Sequence, residues 1–286
     1  MKIGSDMGLS ERLQKRFDDK VVVITGAASG IGKGFALRFL DLGCKVALLD
    51  YDEKGLNNLA TSWSFEPHQF MLCPLNVTDY SSYKSAVEKV VERWQRIDVL
   101  FNNAGIVNCG FMEDLSRQHW SQIVGVNITG VINGIQLVYP LMQAQGNGHI
   151  INTASLAGLV ALGGMAPYTT TKHAIVGLSR SLAMEAKIHG IKIQVLSPSF
   201  IDTPMIHQVF PNVSQEAINK LLSFFGVVKL EDFMEKAMAF LYSKRFMLVM
   251  PFTARLSYLL SRLFPSFADK LAFALMKALY EGRNKV

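Results

Sequence analysis

The chain has 286 residues, half of them apolar and 18% charged, and carries a formal net charge of +6 at pH 7. This composition excludes a disordered or fibrous polymer, and the length is ample for a buried core. Three unclustered cysteines (Cys44, Cys73, Cys109) and six scattered histidines show no CxxC, HxH or HxxxH spacing. They exclude a disulfide framework or a metal centre as the organising device, and they suit a reducing compartment.

In chain order, residues 1–19 form a charged lead-in without the apolar segment of a secretory signal. No run of eighteen apolar residues follows, so no membrane span is expected and the protein is expected to be cytoplasmic. From residue 20 to residue 250 apolar runs alternate with amphipathic segments. Residues 21–25, 45–50, 69–74, 99–102, 149–153, 192–197 and 246–250 read as short buried strands. Residues 31–42, 81–95, 116–142, 167–189 and 231–242 have helical spacing. The alternation predicts an α/β fold, a single Rossmann-type doubly wound parallel sheet of about seven strands with helices on both faces. Residues 200–228, with Pro204, Pro211 and Gly226, break the pattern and read as a helical lid within that domain. Residues 251–286 read as a helical C-terminal extension. It is basic: eight basic and two acidic residues lie between Lys244 and Val286, so the whole net charge sits at this end. No nucleic-acid partner is expected.

The first strand runs directly into Thr25-Gly26-Ala27-Ala28-Ser29-Gly30-Ile31-Gly32, which opens the first long helix. Glycines here permit a tight turn and close approach of backbone to a pyrophosphate at a helix N-terminus. Glycines also cap helices and shape loops, but the strand–turn–helix context favours a dinucleotide. Asp50 ends the second strand, where a carboxylate accepts hydrogen bonds from ribose hydroxyls and repels a 2′-phosphate, so NAD is expected over NADP. Lys33 and Lys45 are the residues that would weaken that preference. Tyr168 and Lys172 stand four apart and share a helix face. Ser155 ends the fifth strand, and Asn127 lies in the preceding long helix.

With TGAASGIG at 25–32, NNAG at 102–105, Asn127, Ser155 and YTTTK at 168–172, the sequence resembles the short-chain dehydrogenase/reductase superfamily in its ordinary single-domain branch. The pieces stand in that family's order and spacing between about residues 20 and 250. The resemblance implies an NAD(P)-dependent oxidoreductase with Asn127, Ser155, Tyr168 and Lys172 as the catalytic set. Tyr168 would exchange the alcohol proton, its phenol lowered from near 10 by the Lys172 ammonium and the oxidised nicotinamide. Ser155 would hold the reacting oxygen, Lys172 the nicotinamide ribose, and Asn127 a water relay. It further implies that Asn102 braces the sheet. The implied cofactor contacts are Gly26, Ser29, Gly30, Ile31, Gly32, Asp50, Asn76, Val77, Asn103, Ala104, Gly105, Tyr168, Lys172, Ile201 and Thr203. Asn76 stands where the family carries aspartate, and is still expected to reach the adenine amine. Ser199 replaces a glycine usual beneath the nicotinamide. Helices 116–142 and 167–189 would pair across a homodimer or homotetramer interface.

The positions expected near the nicotinamide are apolar: Ala157, Leu159, Val160, Met165, Phe200 and Met205, with Phe224 and Phe225 in the lid. With Ser155, Met165 and Tyr168 as substrate contacts, a lipid-like, steroid-like or aromatic secondary alcohol or its ketone is expected. A non-catalytic dinucleotide-binding scaffold or redox sensor is the alternative, and retention of Tyr168 and Lys172 argues against it. The extension holds two apolar stripes. One is Phe252, Leu256, Leu259, Leu260, Leu263 and Phe264 beside Arg255 and Arg262. The other is Phe267, Leu271, Ala274, Leu275 and Ala278 beside Lys270 and Lys277. Two readings stand: the stripes pack on the protein or a partner subunit, or they meet an anionic membrane surface as part of a surface-associated lipid dehydrogenase.

Overall fold

The computed structural model describes residues 8–208 and 213–283. Its strands are β1 (Val21–Thr25), β2 (Lys45–Asp50), β3 (Phe70–Pro74), β4 (Val99–Asn102), β5 (Gly148–Thr153), β6 (Ile191–Pro198), β7 (Phe200–Ile201), β8 (Val227–Val228) and β9 (Met247–Met250). Seven of them pair in parallel in the order β3-β2-β1-β4-β5-β6-β9, and β7 with β8 form a separate two-stranded ribbon. The order reverses between β1 and β4, which opens a crevice at the carboxyl edge where the strand ends diverge.

The helices are α1 (Leu9–Phe17), α2 (Gly30–Asp41), α3 (Glu53–Ser62), α4 (Tyr80–Trp94), α5 (Arg117–Val124), α6 (Gly130–Gln145), α7 (Ala166–Ala186), α8 (Gln215–Phe225), α9 (Leu230–Tyr242), α10 (Phe252–Leu263) and α11 (Pro265–Glu281). Alternation along each strand sends Val22 and Ile24 of β1 to one face and Val21 and Val23 to the other. The first face is covered by α1, α2 and α9 through Phe17, Phe35, Phe39 and Phe233. The second is covered by α4, α6 and α7 through Tyr83, Val138 and Ile175. A third apolar cluster, outside the sheet, joins α8 and α11 to the loops after β4 and β5.

All seven expected strands and all five expected helices are present, with ends shifted by a few residues. Two short helices were not anticipated. α1 lies in the expected lead-in, where Leu13 and Phe17 are buried and Phe17 meets Phe39 edge-on at 5.3 Å. α3 begins at Asp52, whose carboxylate accepts the Gly55 N–H and caps the helix. Residues 117–145 run as one helix, apolar and long enough by composition to cross a bilayer. Its apolar face is spent on β4, β5 and α4, which makes it a core helix. The segment expected as a lid contains β7, α8 and β8. Its residues 209–212 lie outside the described residues, as do 1–7 and 284–286.

The extension forms the two helices expected, with Pro265 opening the second rather than only ending the first. Their burial divides the two stripes. Ala254 and Leu279 are covered, whereas Phe252 is 75% and Leu263 68% exposed, with Leu256, Leu259, Phe264 and Phe267 exposed beside them. The packed side of α10 is therefore its small-residue side, and its Leu/Phe stripe faces outward.

Candidate active site

A cleft of about 830 Å³ opens at the carboxyl edge of the sheet, a size that suits a small-molecule site. One half lies over the turn between β1 and α2. Gly26 (φ +67°) and Gly30 (φ +51°) take left-handed backbone that only glycine adopts cheaply. A Cβ at Gly26 would stand 2.9 Å from Ala104 Cα, and one at Gly32 would collide with the Gly26 carbonyl. The turn is thus tight against its own helix and leaves a shallow cradle at the helix N-terminus. This arrangement fits the pyrophosphate of a dinucleotide. Gly26, Ser29, Gly30 and Ile31 line the cleft; Gly32 lies beneath the turn and shapes it from behind.

Asp50 closes the outer end of this half. Its carboxylate accepts the Ala28 N–H at 2.8 Å and the Asp52 N–H at 2.9 Å, which leaves lone pairs for ribose hydroxyls. Lys45 lies at the opposite end of β2, paired with Asp19 at 2.7 Å, and Lys33 is not among the lining residues. Asn76 also lines the cleft, but its Oδ1 accepts both the Thr78 N–H (3.0 Å) and the Thr78 hydroxyl (2.9 Å). Both lone pairs are engaged, so the expected bond from an adenine amine has no free acceptor there; Val77 lines the same wall. The NNAG segment divides into a bracing residue and three that line the cleft. Asn102 donates to Asn152 at 2.9 Å, and Asn152 to Ser179 at 2.8 Å, bracing β4, β5 and α7. Asn103, Ala104 and Gly105 line the cleft, with Asn103 donating to the Thr25 and Gly26 carbonyls.

The other half gathers Ser155, Tyr168 and Lys172. Ser155 follows β5 and caps a single 3₁₀ turn, its Oγ accepting the Ala157 N–H at 3.2 Å. Tyr168 and Lys172 leave the first turns of α7 on one face, the ammonium 5.6 Å from the phenol ring. Lys172 is 4% exposed and donates to the Thr153 carbonyl at 2.8 Å. Burial pulls its ammonium down to about 8. The phenol goes the other way: burial pushes Tyr168 up to about 12, while its hydrogen bond with Ser155 draws it back and Cys109 opposes ionisation. The sequence reading expected a lowered phenol; in the protein alone desolvation outweighs the Ser155 bond. Asn127 is buried at the centre of a π-helical segment, Gly125–Thr129, between α5 and α6. Its amide accepts the Ile106 N–H (2.8 Å) and donates to the Ile106 carbonyl (3.0 Å) and to Thr171 Oγ1 (3.1 Å). It ties the loop after β4 to α7. The wide π turn aims it there, a feature that frequently marks functional sites.

The apolar wall differs in part from expectation. Ala157, Met165, Phe200, Met205 and Phe225 line the cleft, whereas Leu159, Val160 and Phe224 do not. Ile106, Val107, Leu156, Leu162 and Ile206 line it and were not singled out. Ile106 and Val107 directly follow NNAG and Leu156 adjoins Ser155, whereas Leu162 and Ile206 carry no such positional signal. Ser199, Ile201 and Thr203 line the floor; the Ser199 N–H is held by the Met250 carbonyl at 2.7 Å. Among the described lining residues Lys172 is the one cation and Asp50 the one anion.

A seven-stranded Rossmann sheet with this Ser–Tyr–Lys cleft defines a nicotinamide-dependent oxidoreductase. Comparison with known proteins is specific about the family: the short chain dehydrogenase model matches residues 20–214. The chain is 36% identical over 212 residues to the 3-oxoacyl-(acyl-carrier-protein) reductase FabG of Thermotoga maritima, covering 74% of this chain and 86% of that one. It is 35% identical over 223 residues to the 15-hydroxyprostaglandin dehydrogenase (NAD(+)) of Mus musculus, covering 73% and 80%. The crystal structure of a short chain dehydrogenase/reductase from Burkholderia phymatum in complex with NAD superposes with a TM-score of 0.74 at 28% identity, covering 86% of this chain and 95% of that one. The chain belongs to the short-chain dehydrogenase/reductase family and is an NAD(P)-dependent oxidoreductase.

Proposed function

We propose that this enzyme interconverts a hydrophobic secondary alcohol and its ketone, using NAD(H) in preference to NADP(H). The observation that carries the reading is the convergence of Ser155, Tyr168 and Lys172 on a part of the cleft lined by Ile106, Val107, Leu156, Met165, Phe200 and Phe225. When bound, the nicotinamide supplies the carbon that accepts or gives the hydride. Ser155 holds the reacting oxygen beside Tyr168 Oη. The neutral phenol gives its proton to the ketone oxygen as the carbonyl carbon gains hydride, and regains it from the alcohol in reverse. Lys172, a buried cation one turn along α7, lowers the cost of the phenolate in between and would hold the nicotinamide ribose. Asn127 holds Ile106 and Thr171 in register and so keeps the loop after β4 against Lys172. Preference for NAD(H) rests on Asp50 and on the absence of a cation beside it among the described lining residues. The prostaglandin relative, named as an NAD(+) enzyme acting on a hydroxyprostaglandin, supports the cofactor and a lipid-like hydroxyl substrate. A panel of hydrophobic alcohols assayed by NADH absorbance tests the reading; a strict requirement for charged or phosphorylated substrates would overturn it. The Rossmann domain is taken as residues 20–250, and the enzyme as a cytoplasmic homodimer or homotetramer pairing through α5–α6 and α7.

A second reading concerns the extension. On α10 the outward stripe Phe252, Leu256, Leu259 and Leu263 is flanked on one side by Arg255 and Arg262; on α11 Phe267 and Leu271 are flanked likewise by Lys270 and Lys277. The repeated apolar stripe with cations along one edge suits an anionic lipid surface. Full-length protein should co-sediment with anionic vesicles at low salt, and Leu256→Glu with Leu263→Glu should abolish it. Absence of sedimentation at low salt would refute this reading.

A further inference from the structure

The extension also reaches the cleft from behind, at three separate places. Where α10 starts, the Thr253 hydroxyl donates to the carbonyl of Phe225, the last residue of α8, at 2.7 Å. Where α11 ends, the Ser214 N–H donates to the Gly282 carbonyl at 2.7 Å, and Val213 pairs with Arg283 in an antiparallel bridge. A Cβ at Gly282 would stand 2.7 Å from that of Ala217, so the chain end lies directly on α8. Both ends of α8 are therefore held by the extension. Between them, a Cβ at Gly163 would run into Met276, and the Gly164 carbonyl in turn accepts the Gly110 N–H at 2.8 Å.

Arg283 closes the ring. Its guanidinium bonds Glu113 at 2.7 Å and both oxygens of Asp114 at 2.7 and 2.6 Å, and it lies 4.9 Å over the Phe111 ring and 5.0 Å over Tyr280. Phe111 and Tyr280 meet edge-on at 4.9 Å. A planar fork shared between two carboxylates and set against two rings holds direction as well as charge. The three segments the extension joins each present residues to the cleft: Val107 before the Phe111 turn, Leu162 and Met165 after β5, and Phe225 on α8. The Rossmann turn and Lys172 lie on other elements.

We infer that the C-terminal extension frames the substrate half of the cleft and that Arg283 is the positioning residue that locks this frame, setting how tightly an apolar substrate is held. The inference rests on the apolar half being the substrate site, as proposed above, and is tested so that the two can fail separately. Full-length Arg283→Ala, Arg283→Lys and the Glu113→Gln/Asp114→Asn pair are compared with the parent by amide hydrogen exchange, NADH titration and steady-state kinetics. Exchange in residues 214–225 and 107–115 should quicken roughly fivefold in Arg283→Ala and in the carboxylate pair. Arg283→Lys should recover part of the protection. KM for the best hydrophobic alcohol should rise severalfold with kcat and NADH affinity unchanged, a split that general destabilisation does not produce. Unchanged exchange in α8 would overturn the inference, as would a parallel loss of kcat and NADH affinity. If no hydrophobic alcohol is turned over, the proposed substrate class fails, while exchange and NADH titration still decide whether Arg283 locks the frame.

Discussion

Burial acts on two neighbouring side chains in opposite senses: it pushes the Tyr168 phenol up to about 12 and pulls the Lys172 ammonium down to about 8. Both shifts favour the neutral form, and together they leave the free enzyme with an intact phenolic proton, ready to protonate a ketone oxygen. Tyr168→Phe removes that proton. It should lower turnover by roughly 10²–10⁴-fold while NADH binding, followed by fluorescence, stays near normal. For Lys172 the sign of the pH effect can be worked out. Its folded pKa lies below the unfolded 10.5, so between pH 8 and 10.5 the unfolded chain binds the extra proton and stability rises with pH. Lys172→Met removes the group and with it that rise. The stability of the parent relative to the variant should therefore increase from pH 7 to pH 10.5, by on the order of 2–3 kcal/mol. Urea unfolding at the two pH values measures it, and a flat difference would contradict the buried ammonium. Asp50→Ala should narrow the gap between NADH and NADPH affinity, read by titrating both.

At the scale of elements, the glycine turn is the least forgiving. A side chain at Gly32 has the Gly26 carbonyl in its way, and backbone cannot step aside as a flexible side chain can. Gly32→Ala should weaken NADH binding severely and lower the melting temperature. The strands and long helices were legible in the sequence because their apolar period is strong and uninterrupted. α3 was not: Gly55, Asn57 and Asn58 are poor helix formers, and the element exists because Asp52 caps it and Leu56 and Leu59 are buried. α1 carries its apolar residues at positions 9, 13 and 17, but amid a charged stretch whose partner, Phe39, is visible only in three dimensions. The π turn around Asn127 has no sequence signal, since it depends on Asn127 reaching both polar groups of Ile106.

At the scale of the molecule, the chain separates its tasks. The sheet and the first glycine turn build the cofactor half, and these were the parts most readily read from sequence, because tight backbone leaves few residue choices. The apolar half is assembled from loops after β4 and β5, from α8 and from the extension, segments far apart in sequence. Their joint wall was only partly anticipated: Met165 and Phe225 were placed in it, Val107 and Leu162 were not. The same extension turns its covered side to the cleft wall and its Leu/Phe stripe outward, and Arg255, Arg262, Lys270 and Lys277 lie on the outer surface rather than in the site. The central claim is that Tyr168 exchanges a proton with a hydrophobic secondary alcohol while hydride passes to NAD. Its most direct test is NADH formation, followed by absorbance, by the parent and Tyr168→Phe enzymes across a panel of such alcohols. The account predicts robust NADH formation by the parent and its near-complete loss in the variant with cofactor binding retained. Equal rates in the two proteins would contradict it.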